Sequence, residues 1–318
     1  MIFTVPPLFG FASRSGWPAL LAALLLSLAG ESTNAQQPIQ ESFVIGRANI
    51  AQGVRRLTFV EPAKASEVRP EVTNGVDAGS SDWPATLLAR ENGCTATVVG
   101  PRAVLTAAHC VLSGQEMSVI VGSKERYVTC DRSRDYNGLY DTPNNDKPEN
   151  LESASADYAL CKVRNDDPPL QVVFETLQFD PVITTNDDIR LLGYGCNGGT
   201  RLSAGGGVLR TATAVVTKLP SGMNNFIELL ADGQQNNGIL CDGDSGGAAY
   251  WPNVLGHGAR QIVGINSRTG VGSDKVTLTG RSLVAAFSTP MAREFVKGWA
   301  AQKAAVCGMT SSMKGCRN

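Results

Sequence analysis

The stretch Cys241-Asp242-Gly243-Asp244-Ser245-Gly246-Gly247 decides how the chain is read. It sets a serine among glycines, directly after an acid. On its own such a run is also an ordinary glycine-rich turn. Two other stretches change its meaning. Leu105-Thr106-Ala107-Ala108-His109-Cys110 ends an apolar run in a histidine, and Asp157-Tyr158-Ala159-Leu160 begins another with an aspartate. A serine hydroxyl is a poor nucleophile near neutral pH. It needs a base in contact, and the base needs an acceptor that fixes its tautomer and stabilises its charged form. Ser245, His109 and Asp157 are the three residue types such a unit requires.

Outward from these motifs, short apolar runs recur from Val72 onward: ATLLA, ATVVG, AVLTAAH, MSVIVG, DYALCKV, DIRLLGYG, VLRTATAVV, NFIELL and ARQIVGI. Gly, Asn, Asp and Pro separate them, a pattern that predicts an antiparallel β architecture. One helix is predicted near the end, with Thr289 as cap, Pro290 in the first helical position, and Met291, Phe295 and Trp299 on one face. The span from Asp131 to Ala156 reads as a long polar loop between strands. No internal repeat or low-complexity segment is present.

The three motifs, in the order His, Asp, Ser, resemble the trypsin and chymotrypsin family from Val72 to about Trp299. The resemblance implies an all-β fold of two six-stranded antiparallel β-barrels with a C-terminal helix. It implies that Ser245 attacks, His109 shuttles the proton and Asp157 orients His109, while the amides of Gly243 and Ser245 form an oxyanion hole. Ser267, in Gly264-Ile265-Asn266-Ser267-Arg268, matches the family's GIVSW segment, whose serine bonds the catalytic aspartate and whose backbone pairs with substrate. Gly193-Tyr194-Gly195 resembles the GWG turn. Val72-Thr73-Asn74-Gly75 through Trp83-Pro84 resembles the family's mature N-terminus, which implies cleavage between Glu71 and Val72 and an ion pair between the new α-amino group of Val72 and Asp244. Glu71 departs from the basic residue usual before that cut, and Arg69 is followed by Pro70, so a Glu-preferring activator, or the enzyme itself if Arg268 makes it accept acidic residues, is expected rather than trypsin. Ile239, followed by Leu240, stands where trypsin-like enzymes carry the aspartate of the primary pocket, and Thr269 matches a pocket-wall position that is often glycine. A substrate Lys or Arg would find no counter-charge there. The expected preference is a small or medium apolar side chain, with Arg268 at the rim as an alternative that favours an acidic one.

By the same resemblance, Cys94 and Cys110 match the disulfide behind the catalytic histidine, and Cys196 is expected to pair with Cys241, because the turn after GWG lies beside the segment before the nucleophile. Cys130 with Cys161 would staple the polar loop across neighbouring strands, leaving Cys307 with Cys316 by elimination. Eight cysteines leave many connectivities open. Asp135-Tyr136-Asn137-Gly138 has some character of a calcium-ligand run, but the rest of an EF-hand spacing is missing, and a solvated loop is the better reading. His257 reads as a loop histidine. No metal and no cofactor are expected.

At the N-terminus, Arg14 precedes an apolar stretch, Ala19 to Ala29, and Thr33-Asn34-Ala35 supplies small residues, so 1–35 reads as a signal peptide. That stretch falls short of the roughly 20 residues a spanning helix needs. Residues 36–71, polar with scattered apolar residues and ending in EPAKASEVRPE, read as a propeptide, and 72–318 as the protease domain. An even number of cysteines in an exported chain reads as disulfides. The expected location is secreted, extracellular or periplasmic, with no membrane after signal removal. A net charge of -1 without a basic run gives no reason to expect nucleic acid. The implied partners are protein or peptide substrates, an activating protease and protein inhibitors. Two alternatives are a catalytically inactive homologue acting as a binding protein, which usually loses a triad member, and a serine esterase, whose α/β-hydrolase order of Ser, acid, His is not the one found here.

Overall fold

Residues that recur in the chain's apolar runs, Val, Ile, Leu and Thr, fit a pleated surface buried on one face. In the computed structural model they form sixteen strands among the described residues, which are 42–45, 56–61, 75–112, 115–137, 151–196, 207–231, 237–251, 260–274, 276–310 and 313–317. The strands are β1 (Ser42–Val44), β2 (Arg56–Val60), β3 (Val76–Asp77), β4 (Thr86–Ala89), β5 (Thr95–Gly100), β6 (Ala103–Thr106), β7 (Glu116–Val121), β8 (Lys124–Arg132), β9 (Ala159–Val163), β10 (Thr176–Leu177), β11 (Asp188–Gly193), β12 (Arg210–Lys218), β13 (Phe226–Leu230), β14 (Ala248–Trp251), β15 (Gln261–Val271) and β16 (Leu278–Ala286). Two helices accompany them, α1 (Leu151–Ala154) and α2 (Pro290–Gln302). No helix among the described residues is long and apolar enough to cross a membrane. The signal-peptide reading of 1–35, the Glu71–Val72 junction and His257 lie outside the described residues.

The chain folds into two closed β-barrels. The first runs β2-β4-β5-β6-β9-β8-β7; the second runs β15-β14-β11-β12-β13-β16 and closes where β16 pairs with β15. The expected two-barrel fold is found, with six strands in the second barrel and seven rather than six in the first. The extra stave is β2, antiparallel to β4 (Phe59↔Ala89) and parallel to β7 (Arg56↔Glu116 to Val60↔Ile120). Its physical basis is local: Leu57 and Phe59, two residues apart, are fully buried in the main core, a strand period hidden within a mostly polar segment. The segment read as a propeptide also supplies β1, which adds to β15 of the second barrel.

The polar span expected from Asp131 to Ala156 is partly structured. β8 extends to Arg132, and α1 forms at Leu151–Ala154. At the other end, α2 begins as read: Pro290 opens it, and the Thr289 side chain accepts from the Ala292 amide at 3.3 Å. Its buried face is Ala292, Val296 and Trp299, with Met291 and Phe295 packed at the margin. The Trp299 indole N–H donates to Asp131 at 2.8 Å, which seats the helix on the end of β8.

Four disulfides are formed: Cys94–Cys110, Cys130–Cys161, Cys196–Cys241 and Cys307–Cys316. Cys130 and Cys161 face each other directly in the β8–β9 ladder.

Candidate active site

Register brings the first two candidate residues together. β6 and β9 are antiparallel with Thr106 opposite Ala159, so the residues just after β6 and just before β9 emerge at one corner of the first barrel. His109 lies three residues past that pair and Asp157 two before it. The second barrel repeats the device. β14 and β15 pair with Ala248 opposite Ile265, which places Ser245 before one strand and Ser267 along the other at a shared corner. A register shift between Asn266 and Arg268 puts Ser267 in a bulge opposite β16. Bulges of this kind re-aim a side chain.

His109 sits in a short 3-10 helix, Ala108–Cys110, and is 1 % exposed. The Cys94–Cys110 disulfide clamps this turn, and the Asn92 side chain donates to the Cys110 carbonyl at 2.9 Å. His109 Nδ1 lies 2.7 Å from Asp157 Oδ2, and the His109 amide donates to Asp157 Oδ1 at 3.0 Å. A carboxylate only accepts, so Nδ1 carries the proton and Nε2 is left as the acceptor. Nε2 is buried with no hydrogen-bond partner among the described residues. The Ser267 hydroxyl donates to Asp157 Oδ2 at 2.5 Å, joining the two barrels through the carboxylate. Burial works to raise the Asp157 pKa, but facing His109, the Arg268 charge and the Ser267 hydroxyl outweigh it and hold the carboxyl below its ordinary value.

Ser245 is 5 % exposed, with its hydroxyl 3.5 Å from the Ser267 carbonyl. Its own carbonyl accepts from the Thr95 amide at 2.7 Å. The glycines around it follow from close backbone contact: Gly246 has φ +82°, and a Cβ there would overlap the Thr95 carbonyl and Thr106 hydroxyl. Gly243 has φ +103°, and a Cβ on it would press on the Tyr194 carbonyl. The amides of Asp244, Gly246 and Gly247 donate to the carbonyls of Cys241, Asn266 and Asp244. Among the described residues no acceptor engages the amides of Gly243 and Ser245.

Asp244 turns away from this surface. Its two oxygens accept from the amides of Gly195 (2.8 Å) and Cys241 (2.9 Å). Gly193 and Gly195 are required because a Cβ on either would overlap the carboxylate. Burial pushes the Asp244 carboxyl up to about 6, against the opposing pull of those two amides and of the Arg210 charge. Val72, its proposed partner, is outside the described residues.

The proposed pocket residues divide. Ser267, Arg268 and Thr269 follow one another along β15 beside Ser245, all buried. Leu240 instead packs in the second barrel's core with Ile189, Val263 and Val284, its amide donating to the Ser282 hydroxyl at 2.9 Å. Ile239 is buried next to it. Cys94, His109 and Cys110 bring three ligand-type atoms within 4.8 Å, but both sulfurs are spent in one disulfide and Nδ1 faces Asp157, so this cluster does not fit a metal.

One contributor has no sequence signal beyond its place beside Cys94. Thr95 receives the Thr106 hydroxyl on its carbonyl, donates its own hydroxyl to the Gly243 carbonyl at 2.7 Å, and accepts the Tyr194 amide at 3.1 Å. It ties the Gly243–Ser245 loop of one barrel to the strand that precedes His109 in the other.

The family model described as Trypsin matches residues 72–288, more than half of the chain. No curated protein matches it. The chain belongs to the trypsin family.

Proposed function

We propose that this member of the trypsin family is a secreted serine endopeptidase, made as a zymogen and acting through Ser245, His109 and Asp157. The observation that carries the proposal is the buried chain of contacts from His109 through Asp157 to Ser267, on the strand beside Ser245. The Ser245 hydroxyl attacks the substrate carbonyl carbon as His109 Nε2 takes its proton. Asp157 holds Nδ1–H and stabilises the resulting imidazolium. The carbonyl oxygen, now negative, is received by the amides of Gly243 and Ser245, each such donor being worth about 2.7–4 kcal/mol in the transition state. Collapse expels the amine, which takes the proton from His109, and leaves an acyl-enzyme on Ser245. Water, deprotonated by the same histidine, releases the acid.

Family membership implies protein substrates. The finer statements are part of the proposal: cleavage between Glu71 and Val72, pairing of the Val72 amine with Asp244, and an uncharged apolar side chain before the scissile bond. The buried, partly compensated Asp244 carboxylate supports the second, since an inserted cation would relieve it. Four disulfides support export.

The test is peptide-library hydrolysis by the full chain cleaved between Glu71 and Val72, beside Ser245→Ala and His109→Ala. Each variant should lose amide hydrolysis while staying folded, with residual catalysis of about 10³–10⁴ over water. Near wild-type turnover in either would refute the assignment, and efficient cleavage after Arg or Lys would refute the specificity.

A further inference from the structure

β15 leaves the nucleophile with one edge already occupied. Its early part pairs with β14 as far as Ile265, and its other side pairs with β16. Past Ser267, where the β14 side is left behind, the edge is taken by β1: Ser42 lies opposite Val271, Phe43 opposite Gly270 and Val44 opposite Thr269, antiparallel. Val44, opposite Thr269, thus lies two residues along β15 from Ser267, whose carbonyl faces the Ser245 hydroxyl. The segment is seated rather than draped. Ser42, Val44 and Ile45 are buried, and Phe43 packs against the main core.

An extended peptide whose scissile bond lies at Ser245 gains most of its backbone hydrogen bonds by adding as a strand to the nearest sheet edge. Here that edge is Thr269–Val271, and it is filled. From this we infer that the N-terminal segment is an intramolecular competitor. Ser42–Val44 occupies the strand-docking edge for extended substrates and must leave it before a substrate can bind. This rests on the endopeptidase reading and adds a layer to it. Cutting the chain between Glu71 and Val72 breaks no contact of β1, and the cut segment is also held by β2 inside the first barrel. Backbone cleavage and vacating of the edge are thus separate events.

The probe is a fluorescent synthetic peptide of residues 40–47, titrated by anisotropy onto the full chain carrying Ser245→Ala. The same titration is made on that chain with Phe43→Pro and Val44→Pro together. Neighbouring residues of a strand point their N–H groups to opposite sides, so one of the two prolines removes a donor facing β15. The double-proline chain should bind the peptide roughly tenfold more tightly than its parent, because the parent's own strand is tethered at high effective concentration. Phe43→Gly with Val44→Gly, which loosens the strand without steric demand, should shift affinity in the same direction by less. Amide exchange at Thr269–Val271 should quicken in both variants. Equal peptide affinity in parent and variants, or unchanged exchange, overturns the proposal.

In the cleaved chain with Ser245 intact, the peptide should raise KM for an extended substrate and leave kcat unchanged. A fall in kcat at constant KM would place the peptide elsewhere and also overturn the proposal. If the endopeptidase reading alone is wrong, a fluorophosphonate fails to label Ser245 in the cleaved chain that keeps it, while the anisotropy difference between the Ser245→Ala chains persists.

Discussion

Asp157 and Asp244 are both carboxylates withdrawn from water, and their surroundings push them in opposite directions. Asp157 is met by the His109 ring, the Ser267 hydroxyl and the charge of Arg268, which outweigh its burial. Asp244 has two amides and the charge of Arg210, and burial wins. The signs differ accordingly. For Asp157, whose folded pKa is lowered, the stability it contributes is present above the ordinary carboxylate range and is lost as pH falls through and below that range. For Asp244, raised to about 6 from 3.8, the contribution is fully present below about pH 4 and is lost as pH rises through 6. A shift of that size corresponds to about 2–3 kcal/mol. Urea unfolding of the uncleaved chain across this window should show that loss, and Asp244→Asn should flatten it; an unchanged slope would remove Asp244 as its source. Ser267→Ala withdraws one donor from Asp157, and kcat/KM should drop about tenfold with the fold intact, as expected for a hydrogen bond to a charged group. No change on peptide substrates would mean the contact is idle. The proposed triad of Ser245, His109 and Asp157 could be put forward from sequence because the chemistry admits few other residues. Thr95 was not, since a threonine hydroxyl has no signature until the two barrels meet across it.

At the scale of elements, β2 is the stave that the sequence hid and that a single core substitution can test. Phe59 is fully buried in a stave flanked on both sides, so Phe59→Ala should cost about 3–5 kcal/mol in chemical denaturation. A cost near zero would mean that the strand is not part of the barrel in solution. β4 to β7, β9, β11 to β13 and β15 were visible in sequence as aliphatic runs. β8 was hidden because its exposed residues, Lys124, Glu125, Tyr127 and Thr129, alternate with inward Arg126 and Val128, so no apolar run appears. Arg126 is buried with its guanidinium spent on the carbonyls of Val121, Lys124 and Pro168, an inward charge that sequence patterning reads as a surface. β1 and β2 were missed for another reason: three to five residues inside a polar segment carry too short a period to stand out, and only pairing with β15 and β7 defines them.

For the whole molecule, the chain before Val72 touches both barrels, β2 in the first and β1 on the second. After cleavage between Glu71 and Val72 the N-terminal piece should therefore co-elute with the remainder in native gel filtration and part from it only under denaturing conditions. Prompt separation in native buffer would contradict the packing of both strands. The two barrels in turn meet over the site, through the contact of Ser267 with Asp157 and the bond from the Thr95 amide to the Ser245 carbonyl. The proposed catalytic unit would thus be assembled only when both barrels are in place. The most direct test is to treat the cleaved full chain with a fluorophosphonate and locate the adduct by mass spectrometry of its peptides. One adduct is expected, on Ser245, formed far more slowly in His109→Ala and absent in Ser245→Ala; labelling elsewhere, or equal labelling without His109, would contradict the proposed triad.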